Sequence, residues 1–196
     1  MTRRTRRVGG AVAATLGLAL AATACSGGGS DDPGDAGPTG PAQATDHPVT
    51  TRVTFGKVTG TLAPQVRDRL AQQVGQVVTR WTEAAYLGGD YPRRDFSDSW
   101  PGFTAGAQRE AHGDRALMSN EDIGDRIDGV VPHRSVVRLD VLAVKKHPVG
   151  ITAHVFLGFG TTGDLEKEVR VKGRLFLTPT DGGWKVFGYD MTKGAV

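Results

Sequence analysis

Residues 169–186 read VRVKGRLFLTPTDGGWKV. Val169, Val171, Leu175 and Leu177 share one parity, Arg170, Lys172 and Arg174 take the other, and the apolar parity resumes at Trp184 and Val186. Strict alternation on both sides of a Pro-Thr-Asp-Gly-Gly cluster predicts two antiparallel strands joined by a turn. Placing that turn over Pro179–Gly183 sets Leu177 against Trp184 and Leu175 against Val186, which keeps one apolar face across the hairpin.

The same period runs back toward the N-terminus. Val137, Leu139, Val141 and Ala143, then Ile151, Ala153, Val155, Leu157 and Phe159, alternate with residues that are polar or small except for Leu142 and Phe156, and are separated by His147-Pro148. Four strands result, at about 135–144, 150–160, 167–178 and 184–191, and they form an antiparallel meander. Its apolar face needs a cover. Val66, Leu70, Val74, Val77, Val78, Trp81 and Ala85 recur at three- and four-residue steps after Pro64 and before Gly88-Gly89, so a long helix over Pro64–Leu87 presents the matching stripe. A short strand is expected at Thr51–Lys57, and a loop with one or two short helices over Asp90–Asn120. The expected class is α+β: a long N-terminal helix and short helices packed on a curved antiparallel sheet of about four strands.

At the start of the chain, Arg3, Arg4, Arg6 and Arg7 precede an uncharged run from Val8 to Ala24, the layout of an export signal. The run is too short and too diluted by Gly and Thr to cross a membrane, which takes about 20 predominantly apolar residues. Leu20-Ala21-Ala22-Thr23-Ala24-Cys25 resembles a bacterial lipobox, and Cys25 is the only cysteine. That resemblance implies a signal peptide over 1–24, a diacylglycerol carried by Cys25, and a protein anchored on the extracytoplasmic face of the cell membrane. Two acyl chains suffice for stable anchoring. Residues 26–47 hold Gly, Ser, Asp, Pro, Ala and Thr and no large apolar residue, the composition of a tether. The expected organisation is therefore a signal (1–24), a lipidated cysteine and tether (25–48), and one domain (49–196). With its single cysteine lipidated, that domain must be stable without disulfides.

Charge does not suggest a nucleic-acid partner. Four of the 24 basic residues precede Cys25, whereas all 21 acids follow it, so the chain from Cys25 onward carries a formal charge of −1. Nor does His/Cys/Asp/Glu spacing suggest a metal ligand set, and no cofactor is implied.

The long helix, the small helices and the sheet, with Gly173-Arg174-Leu175-Phe176-Leu177 followed by Asp181-Gly182-Gly183-Trp184-Lys185-Val186, resemble the nuclear transport factor 2-like, cystatin-like cone over about residues 62–190. The text is similar to that of exported or membrane-attached actinobacterial members. The resemblance implies a cup closed by helices, and it leaves function open, because such cones include enzymes, carriers and domains without activity.

Members that are enzymes place an acid or base inside the cup. Here the inward parity is apolar, and turning Asp140 and His154 inward would bury Arg138, Arg170, Lys172 and Arg174. Asp140 and His154 are instead expected to meet as a cross-strand pair on the outer face. Tyr86, Asp90, Tyr91 and Trp100 lie at or after the end of the long helix and are candidates for the cup mouth; the other reading makes Tyr86 and Trp100 core lids and Asp90 a turn residue. Phe156, Arg174, Phe176, Phe187 and Tyr189 are candidates for an interface on the outer face, where aromatic residues and Arg fit a protein contact; a second copy and a different envelope protein both remain open as partners. The leading expectation is a non-catalytic binding or scaffolding module. A carrier holding a small apolar ligand in the cup, and an enzyme using Tyr86, Asp90 or Tyr91, are the alternatives.

Overall fold

The structure, a computed structural model, describes residues 49–195. The expected signal, the lipidated Cys25, the tether and His47 lie outside the described residues.

The period-two stretches form long strands. They are β1 (Arg52–Thr59), β2 (Gly129–Val144), β3 (His147–Thr162), β4 (Glu168–Thr180) and β5 (Gly183–Ala195). Between β1 and β2 come α1 (Pro64–Thr82), a π-helical turn (Glu83–Leu87), α2 (Ala105–Gly113) and α3 (Arg115–Met118). All five strands lie in one sheet in sequence order.

The expected architecture of a long N-terminal helix on about four antiparallel strands is overturned. The strand expected before the helix joins the sheet, which therefore has five strands and is mixed: β1 runs parallel to β2, with Arg52 opposite Val136 and Thr59 opposite Leu142. Val53, Phe55 and Val58 are half-buried apolar residues, and a strand carrying them needs a sheet neighbour as well as a helix beneath it. A parallel neighbour requires a long crossover, which the helical segment between Thr59 and Gly129 supplies.

The other strands pair antiparallel, and two registers differ from expectation. The last hairpin turns tightly, Thr180 pairing with Gly183. The Thr180 hydroxyl donates to the Gly183 carbonyl at 2.7 Å, and Gly183 takes a φ of 99° that favours glycine. Leu177 therefore faces Val186 and Leu175 faces Tyr189, with Phe187 bulged out between. At the β2–β3 turn, Lys145 and Lys146 both adopt left-handed backbone, at φ 48° and 68°, and Val144 pairs with His147.

The core lies between the inner sheet face and the helices. Val74, Val78 and Trp81 of α1 meet Leu139, Ala153, Leu157, Leu175 and Leu177, all fully buried or nearly so. Part of this core is filled by aromatic rings. Trp81 packs edge-on against Tyr86 at 5.6 Å and beside Phe103 at 5.9 Å, and Tyr86 lies 6.1 Å from Phe159. Such pairs add specific attraction to the burial of their area.

Candidate functional site

The cup-mouth candidates separate by what their polar atoms do. The π-helical turn displaces backbone bonding by one residue, and Gly88 N–H donates to Glu83 at 2.8 Å. The Tyr86 carbonyl then accepts from Tyr91 Oη at 2.9 Å and from Asn120 Nδ2 at 2.9 Å. Tyr86 itself has no solvent exposure, and its hydroxyl donates to the Leu117 carbonyl at 2.7 Å.

Leu117 belongs to α3, whose last carbonyls have no helical donor. Side chains from around the fold satisfy them in turn. Ser119 Oγ donates to Arg115, Lys193 Nζ to Ala116 and Ser119, Tyr86 Oη to Leu117, and Trp100 Nε1 to Met118. The Lys193 ammonium also pairs with Asp122 Oδ1 at 2.5 Å, so a cation stands at the negative end of the short helix.

Tyr86 and Trp100 are therefore pins that tie the core to α3, and Tyr91 is half-buried against the same knot. Burial holds the Tyr86 hydroxyl well above the usual tyrosine value, with Asp122 nearby adding to the rise. Tyr91 is also raised, burial again outweighing the bond from Asn120. Asp90 sits exposed in the loop after the helix. The structure brings Tyr86, Tyr91 and Asn120 together, and it leaves Asp90 outside the cluster.

His112 and Trp100 share an open surface groove of about 690 Å³ with Asp98 and Arg109. His133 lies 3.6 Å from Glu168 on the surface. Among the described residues no group of three or more His, Cys, Asp or Glu could hold a metal ion, and no helix is long and apolar enough to cross a membrane.

Asp140 and His154 do meet, though not as opposed residues. Asp140 pairs with Thr152 and His154 with Arg138, so the contact is diagonal, with His154 Nε2 2.9 Å from Asp140 Oδ2. The other carboxylate oxygen accepts the Lys57 N–H at 2.8 Å, where β1 slips its register between Phe55 and Val58. Gly56 fits there because a Cβ would come within 2.2 Å of that carboxylate. The Lys57 N–H, then His154, hold the Asp140 carboxyl below its usual value. The pair fastens an edge strand.

On the outer face, Phe156 lies under Arg134 at 4.8 Å and Arg170 at 5.8 Å. Arg174 stands 5.8 Å over Phe176 and pairs with Asp190, and Phe176 packs 6.3 Å from Phe187. Tyr189 does not join them. The bulge at Phe187 reverses parity beyond it, turning Tyr189 toward the helices, where its hydroxyl donates to Asp114 Oδ2 at 2.8 Å. Burial and that carboxylate push the Tyr189 pKa well up.

The described domain thus pairs a mixed sheet and helices around one apolar core, with Phe156, Arg134, Arg170, Phe176 and Phe187 on the outer sheet face. No protein family, no curated protein and no solved structure matches the chain.

Proposed function

We propose that the protein is a lipid-anchored lipoprotein of the bacterial cell envelope and that its domain, of the nuclear transport factor 2-like kind, is a non-catalytic binding module. The observation that carries the binding role is Phe156 held between Arg134 and Arg170 on an open sheet face, with Arg138 and Lys172 exposed beside it. Aromatic groups set among arginines suit a protein contact. The charge selects its chemistry: two such faces brought together would oppose like charges, so a partner presenting acidic and apolar groups is the better complement. The anchoring half of the proposal is supported by the lipobox-like run ending at Cys25.

Against an apolar carrier stand the rings of Trp81, Tyr86, Phe103 and Phe159, which occupy the space a ligand would need. Against an enzyme stands the use of Tyr86 and Tyr91 as backbone ties.

The test is cross-linking in living cells with the wild-type chain, Cys25→Ser, and the double variant Arg170→Glu with Lys172→Glu, followed by mass spectrometry of the products and of Cys25. The expected result is diacylglycerol on Cys25 and an envelope protein captured through an acidic surface, with capture lost in the charge-reversed variant. Self-capture alone, or capture indifferent to the charge reversal, would overturn the binding role. An unmodified Cys25 would overturn the anchoring.

A further inference from the structure

Five large apolar side chains are prominently exposed among the described residues: Val131, Leu142, Val144, Val149 and Phe187. Four of them gather at one end of the sheet. Leu142 pairs with Gly150 and Val144 with His147 beside the β2–β3 turn. Phe187 joins them there, since Leu142, Gly150, Phe176 and Phe187 line one shallow groove of about 330 Å³ with Lys57 and Thr59. Val144 and Phe187 are each more than half exposed, at 51 % and 54 %.

The turn itself departs from local preference. Two-residue hairpin turns with both residues left-handed strongly favour Asn-Gly or Asp-Gly. Here two lysines hold those conformations, a cost that persists where the side chains serve a purpose. They place two ammonium groups at the outermost point of the hairpin, flanked by Val144 and Val149. Lys57 borders the adjoining groove; Asp140, which also lines it, is engaged by His154 and the Lys57 N–H, and the exposed Asp181 lies in the β4–β5 turn at the same end of the sheet. Apolar side chains ringed by lysines fit the boundary between anionic headgroups and acyl chains.

We propose that the β2–β3 hairpin tip docks on an anionic lipid surface, Val144 and Val149 entering the headgroup boundary while Lys145 and Lys146 meet phosphate groups. The position of the membrane rests on the lipid-anchored reading above, and the chain length agrees with it. Thr51, near the start of the described residues, contacts Ser135, about 30 Å along β2 from Val144 at the usual strand rise. The 24 residues from Cys25 to Pro48 can span up to about 80 Å, enough for both contacts at once. The arginine-flanked Phe156 lies further up the sheet, opposite Val136, and stays accessible to a protein partner.

The experiment uses the full chain carrying Cys25→Ser, so that an introduced cysteine is its only thiol. An environment-sensitive fluorophore is attached either at Val144→Cys or at Asp164→Cys, the latter in the β3–β4 turn at the opposite end of the sheet. Each form is mixed with vesicles of phosphatidylcholine and phosphatidylglycerol. The label at position 144 is expected to shift to the blue and brighten severalfold, less so in high salt, while the label at 164 stays unchanged. A silent label at 144, or an equal response at both positions, overturns the proposal. Mass spectrometry of wild-type Cys25 separates the two readings: a responsive tip with no lipid on Cys25 supports tip docking and sinks the anchor, whereas a lipidated Cys25 with a silent tip sinks tip docking alone.

Discussion

Replacing Tyr86 by Phe isolates one hydroxyl. The ring keeps its contacts with Trp81 and Phe159, so packing is conserved and the loss is confined to the bond to the Leu117 carbonyl. That carbonyl is at the end of α3 with no helical donor beyond it, and stripping a buried acceptor of its partner costs about 1–3 kcal/mol. For a domain of this size, each kcal/mol lowers Tm by about 2–4 °C, so the variant should melt about 2–12 °C below wild type. Urea unfolding followed by circular dichroism should show a lower midpoint with the same m-value. There is also a pH signature. Burial raises the Tyr86 pKa in the folded state, so the folded protein retains a proton that the unfolded chain releases above about pH 10. Stability should therefore be fully present below that pH and fall as pH rises through it. Tyr86→Phe should lack its share of that alkaline loss. An unchanged Tm and an unchanged alkaline limb would refute the pin. So would a fully stable variant that had lost an enzymatic activity, since the hydroxyl would then be serving chemistry.

Lys193→Met keeps most of the aliphatic stem and removes three donated bonds from a side chain only 7 % exposed. A loss of about 1.5–3 kcal/mol is expected, the scale of a single charged hydrogen bond because the three bonds share one ammonium, with hydrogen exchange accelerating first at residues 115–119. Asp140→Asn retains an oxygen for Lys57 N–H but removes the charge. Because the folded carboxyl titrates below its usual value, the stability it adds is present above about pH 4 and is lost as pH falls through the folded pKa. The gap between wild type and Asp140→Asn in chemical unfolding should therefore be constant near neutrality and close in acid; a gap that widens in acid would contradict the assignment. Gly56→Ala forces a Cβ against the Asp140 carboxylate and should raise hydrogen exchange in β1 selectively, leaving β3 and β4 protected.

Which parts of this were legible in the sequence follows from the range of the forces involved. Side-chain alternation is local, so the inner face from Val137 to Leu177 could be read directly, and the buried residues follow that parity. Parallel pairing of β1 is a long-range choice with no local signature, and it was missed. Both hairpin registers depended on turn detail: a Thr180 hydroxyl bond in one case, and lysines in conformations lysine rarely adopts in the other. Tyr189 departs from the expected outer face because alternation does not continue through the bulge at Phe187; Gly188, directly after it, is the available signal. Asp140 and His154 were brought together despite a register error, because their side chains reach across a diagonal. The knot on α3 gave no warning, for its donors Tyr86, Trp100, Ser119 and Lys193 are scattered over more than a hundred residues.

That knot bears on function through what it consumes. Buried hydroxyl, indole and ammonium groups are the usual raw material of an active site, and here those of Tyr86, Trp100 and Lys193 are aimed at backbone carbonyls at the end of one short helix. A group so committed cannot also transfer a proton to a substrate without leaving a buried acceptor unpaired. Exposed groups that remain to respond to another molecule include Arg134, Arg170 and Phe156 of the outer face and the lysines and valines of the β2–β3 tip. Their separation along the strands, with Phe156 opposite Val136 and the tip at Val144, gives two surfaces that can be occupied together. A partner would bind the first while lipid holds the second, and neither contact would require the packed interior to open.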